Sequence, residues 1–216
     1  MKYLALISLN FFALLFPAEI FSQKIVKESI QSQGKPRTYY LFVPDTVSAA
    51  KPAPLIVMLH GSKRNGLSLV EKWKELAKKE AIIIAGPDSS DSAGWRIPED
   101  GPDFLYELVE ALKNRHAINS RRVYLFGHSA GAGQALFMSL LESEYFAATA
   151  VHAGALNEQA LPLMDGAKRK TPIAIFVGTN DHLFPLSTVR ATRDALNAPR
   201  FLSRTNGNQG TYALVL

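Results

Sequence analysis

After an apolar start, the chain falls into short alternating stretches of strand-like and helix-like pattern. Residues 37–43 are rich in β-branched and aromatic side chains and stop at Pro44, which predicts a strand. Residues 55–59 and 81–85 are continuous apolar runs, the pattern of parallel strands covered on both faces. Residues 122–126, 147–151 and 172–177 predict three more strands. Between them, residues 68–80 carry Leu69, Val70, Trp73, Leu76 and Ala77 at helical spacing, with charges opposite. Residues 103–115 do the same with Phe104, Leu105, Leu108, Val109 and Leu112, and 132–141 and 187–196 predict two further helices. The alternation predicts an α/β fold with a mostly parallel, doubly wound sheet. There is no internal repeat, and the Ala/Pro stretch at 47–54 lies too near the start to divide two domains.

The first residues carry a different signal. Lys2 precedes the apolar run 3–16, interrupted only by Ser8 and Asn10 and closed by Pro17, with the small Ser22 beyond. This is the layout of a secretory signal peptide over residues 1–22, cleaved near Ser22–Gln23, leaving one domain from 23 to 216. The run is shorter than the roughly 20 residues a spanning helix needs, so no stable membrane insertion is expected after cleavage. Export without any Cys fits a secreted or periplasmic protein.

Composition narrows the chemistry. The 216 residues contain no Cys, which excludes a disulfide scaffold, a thiolate metal site and a Cys nucleophile. Lys and Arg number 24 against 19 Asp and Glu, but the longest basic cluster is Lys168-Arg169-Lys170, too short for a nucleic-acid footprint. No His pair has ligand spacing on one helix face, so no metal is expected.

One motif points to a reaction. Gly127-His128-Ser129-Ala130-Gly131 matches G-x-S-x-G, a weak signal alone. Here an apolar strand runs into it and a helix of small residues leaves it, the strand–turn–helix setting of a nucleophile elbow. The turn needs thin neighbours, which Gly127, Ala130, Gly131 and Gly133 supply. Ser129 then stands at a helix N-terminus, where free N–H groups favour developing negative charge. The Ala130 N–H is one expected oxyanion donor, and the loop after an earlier strand supplies the other. Leu59-His60-Gly61-Ser62 ends the most apolar strand, making the Ser62 N–H the candidate, with His60 holding the loop. Asp181, just past the strand at 172–177, is placed to orient an imidazole.

These segments, in this order, resemble the secreted α/β-hydrolase esterases related to polyhydroxybutyrate depolymerases and feruloyl esterases, over about residues 39–196. The resemblance implies a serine-dependent carboxylic-ester hydrolase without cofactor, working through an acyl-enzyme on a small ester, a polyester or a plant-polysaccharide ester. It assigns Ser129 as nucleophile, Asp181 as acid, His60-Gly61-Ser62 as the oxyanion loop, and Trp95 to the substrate pocket.

The chain departs from that family at one point. Its five histidines are His60, His116, His128, His152 and His182, and none follows the helix at 187–196 where the family places the catalytic His. From Ala198 a polar stretch replaces the expected apolar strand. The sequence therefore reads as an α/β-hydrolase domain incomplete after about 197, by truncation or frameshift, with its last strand and His loop missing. An alternative follows from this: an impaired or non-catalytic binding module on a hydrolase scaffold.

Overall fold

The computed structural model describes residues 24–157, 160 and 164–198, and the backbone of 212–215. β1 (Val26–Ser32) and β2 (Lys35–Phe42) form an antiparallel hairpin. Its turn residues Gln33 and Gly34 sit at φ of 50° and 74°, the conformation whose twist matches the flanking strands. β2 lies antiparallel to β4 (Ile83–Pro87), and the remaining neighbours are parallel. The order is β1-β2-β4-β3-β5-β6-β7-β8, with β3 (Ala53–Leu59), β5 (Ile118–His128), β6 (Ala148–His152), β7 (Ile173–Phe176) and β8 (Tyr212–Val215). The expected α/β-hydrolase sheet, with its antiparallel N-terminal strand, is therefore present.

Side-chain alternation divides the core in two. Along β3, Leu55, Val57 and Leu59 face one layer of helices and Met58 the other. The first layer is α2 (Pro102–Arg115), α3 (Ala130–Leu141) and α4 (Leu186–Asn197), which bury Leu105, Leu108, Leu136 and Val189 against the sheet. On the other face α1 (Leu67–Lys79) packs Leu69, Val70 and Ala77 over Phe42, Met58 and Ile84. Each such buried Leu, Phe or Ile stabilises the fold by about 1.5–3 kcal/mol. This two-sided cover is what lets β3 read as an unbroken apolar run.

Two strands differ from the sequence reading. β1 is polar and lies at the sheet edge, mostly exposed or half-buried, so it has no apolar run to reveal it. The last strand is not missing. β8 pairs parallel with β7 from Ile173–Tyr212 to Phe176–Val215, so the tail's short apolar segment covers an edge that would otherwise leave unpaired N–H and C=O groups. The polar stretch 199–211, which bears on the expectation that the His loop is missing, and the leader 1–22 lie outside the described residues.

Candidate active site

The site forms where the parallel strands end. β5 stops at His128 and α3 starts at Ala130, leaving Ser129 alone in the turn at φ 56° and ψ −118°. A non-glycine residue in that region costs of order 1–3 kcal/mol and persists only where its surroundings over-determine it. Here they do. The Ser129 N–H donates to His152 O at 3.0 Å, and Ser129 O accepts from Ala132 N at 2.8 Å. Gly131 sits so close to β3 that a Cβ on it would lie 2.0 Å from Leu59 O and 2.7 Å from His60 O. A Cβ on Gly127 would meet Gly131 O at 2.2 Å. The spacing of the motif is thus a packing requirement: the turn is seated directly on the end of β3.

The β3–α1 loop lies beside Ser129 on the same rim of the sheet. A Cβ on Gly61 would be 3.2 Å from Ser129 Cβ. His60 is 1% exposed and braces this loop from below. Ser89 N donates to its Nε2 at 3.1 Å, which puts the ring proton on Nδ1, 2.8 Å from Gly61 O. Because C=O and N–H point oppositely across a trans peptide, holding Gly61 O inward turns the Ser62 N–H outward. Trp95 does not line the cavity in front of Ser129 as expected. Its Nε1–H donates to His60 O at 2.9 Å and its ring lies 5.0 Å from the imidazole, so it buttresses the loop from behind. The loop carrying Trp95 is anchored by Asp100, fully buried, which accepts from Arg37, Ser90 and the Arg96 N–H.

Ser129 opens onto a cavity of about 890 Å³. Gly61, Ser62 and Arg64 form one side, and α1 contributes Ser68, Leu69, Lys72 and Trp73 at helical spacing. Phe126, His128, His152, Phe176 and Leu183 close it from the ends of β5, β6 and β7. His128 and His152 stack, with centroids 5.1 Å apart and Nδ1 atoms 3.0 Å apart. One ring must donate and the other accept, so at least one is neutral. Burial first, then the neighbouring His152, Lys72 and Arg64, hold the His128 pKa below its ordinary value.

Asp181 lies in the loop after β7, two strands along from β5. Its Oδ1 accepts from Leu183 N and Phe184 N, both at 2.9 Å, which fixes the loop whose Leu183 faces the cavity. Among the described residues no side chain is hydrogen-bonded to Ser129 Oγ. His116, at the end of α2, is half-buried, and burial pushes its pKa down. Sequence reasoning missed Arg64 and Lys72. The repeat of Ser68, Leu69, Lys72 and Trp73 at one and four residues was the signal that one face of α1 looks into a cavity.

Residues 37–181 match the family model described as esterase PHB depolymerase. The chain belongs to this family. One relative is the bifunctional acetylxylan esterase/xylanase XynS20E of Neocallimastix patriciarum, 26% identical over 208 residues. That match covers 88% of this chain and 30% of the relative. Another is poly(3-hydroxyalkanoate) depolymerase C of Paucimonas lemoignei, 29% identical over 115 residues, 47% of this chain and 28% of that protein. The chain thus spans less than a third of the length of these curated relatives. Among solved structures, a ferulic acid esterase superposes with a TM-score of 0.67 at 15% identity over 89% of each chain, a likeness of fold.

Proposed function

We propose that this chain is a serine carboxylic-ester hydrolase domain in which Ser129 is the nucleophile, the N–H groups of Ala130 and Ser62 receive the oxyanion, and Asp181 is the acid. The reading rests above all on Ser129 at φ 56° between β5 and α3, facing a cavity that it shares with the β3 loop. Ser129 Oγ attacks the ester carbonyl carbon as its proton passes to a base, the two N–H groups receive the charged oxygen, and collapse expels the alcohol. Water then releases the acid from the acyl-enzyme. Each such donor contributes about 3–4 kcal/mol to the transition state. The Ala130 N–H, first in α3, has no acceptor within its helix and is free for that role. Substrates are esters of the acetylxylan, feruloyl or polyhydroxyalkanoate kind, met outside the cell after removal of residues 1–22.

Of the five histidines, none follows α4 in the given sequence. With no imidazole hydrogen-bonded to Ser129 Oγ among the described residues, the activity proposed is the residue left by oxyanion donors and binding, roughly 10³–10⁴ over water. That no described side chain is hydrogen-bonded to Ser129 Oγ also favours a second reading, a binding module that keeps the hydrolase scaffold. A fluorophosphonate probe and a p-nitrophenyl ester assay, each run on the protein and on Ser129→Ala, decide between them. Slow, Ser129-dependent labelling and turnover support the hydrolase. No labelling supports the binder, and full-speed turnover refutes the missing base.

A further inference from the structure

The cavity in front of Ser129 has a charge pattern that a neutral ester does not use. Arg64, three residues past Gly61 on the oxyanion loop, and Lys72, on α1, both line it. Among the described residues neither makes an ion pair, and none of the lining residues is acidic. His128, beside Ser129, lines the same cavity, and after burial and His152 both cations add to the lowering of its pKa. Trp73 and Phe176 supply apolar wall in the same cavity.

We propose that Arg64 and Lys72 select esters bearing a carboxylate, held with an apolar segment against Trp73 and Phe176 and the carboxylate at the two cations. This rests on the reading of Ser129 as the residue facing bound ester, and it specifies the substrate class of that site. An unpaired Arg offers a planar fork for a carboxylate, and an unpaired Lys a compact charge. A neutral ester in the same place leaves both cations with water alone. Both side chains are exposed, so the selection is sensitive to salt. Two sources carry this chemistry: the free end of a hydroxyacid oligomer, and a uronate on a polysaccharide.

The test is binding to the Ser129→Ala protein, read by Trp fluorescence or calorimetry, so that turnover plays no part. One pair of probes is the 3-hydroxybutyrate trimer and its methyl ester. A second is a glucuronate-bearing xylo-oligosaccharide and its methyl ester. At low salt the acid of at least one pair binds about tenfold tighter than its ester. That preference shrinks several-fold in about 0.5 M salt. It is lost in Lys72→Gln combined with Arg64→Gln and retained in Lys72→Arg. The pair that shows it names the source. Equal affinity within both pairs, no binding of either acid, or a preference that survives the double substitution overturns the proposal. Fluorophosphonate labelling of Ser129 in the unsubstituted protein judges the nucleophile separately.

Discussion

His128 and His152, 24 residues apart in sequence, meet Nδ1 to Nδ1 at 3.0 Å on the last rungs of β5 and β6. The contact needs a neutral acceptor, and burial already holds His128 below its ordinary pKa of 6.5. The unfolded chain therefore binds more protons than the folded one as pH falls through 6.5, and stability drops in that window. Thermal unfolding from about pH 7.5 to about pH 5.5 is expected to show Tm falling with pH. In His128→Asn the fall is shallower, leaving the share that belongs to His116, whose pKa burial also lowers. An unchanged slope in the variant would remove His128 from this account.

The left-handed backbone of Ser129 makes a second prediction. Gly adopts φ 56° at less cost than Ala, so Ser129→Gly is expected to be more stable than Ser129→Ala by about 1 kcal/mol. For a chain of this length that is about 2–4 °C in Tm. Neither variant should take a fluorophosphonate label. Equal melting temperatures would mean that the turn is unstrained.

Gly131 and Gly133 are neighbours on α3 with opposite expected outcomes. Gly131→Ala drives a Cβ into Leu59 O and should cost about 3 kcal/mol or more, visible as loss of soluble protein. At Gly133 the nearest atom is Ala155 O at 3.8 Å, an ordinary contact, so Gly133→Ala gains helix propensity and up to about 1 kcal/mol. Chemical denaturation measures both.

Trp95→Phe removes the N–H that holds His60 O while keeping most of the ring. The expected cost is about 1–2 kcal/mol in stability, the penalty of a carbonyl left without its donor. If Trp95 acts through the oxyanion loop, serine labelling slows several-fold in folded protein well below its Tm. Labelling at the original rate would reduce Trp95 to a packing role.

Much of this was legible in the sequence because it depends on local steric need. The small residues around Ser129, the unbroken apolar run of β3 and the helical stripe of α2 are each written within one short stretch of sequence. What stayed hidden depends on meetings between distant segments. The His128–His152 pair requires the β5–β6 register, and β1 is polar because an edge strand has little to bury. Trp95 looked like a pocket residue because its partner, a backbone carbonyl 35 residues away, has no signature in sequence. β8 was obscured by the polar residues before it, although four residues suffice to pair along all of β7.

The seating of Gly131 against Leu59 O ties the serine and its proposed anion-receiving amides to the two central strands, while Asp181 hangs from β7 nearer the margin. The machinery is therefore divisible. The half that grips an electrophile is gauged against itself and does not depend on the periphery for its alignment. The half that would move protons is borne by outlying strands, where exchange or loss leaves the gripping half intact.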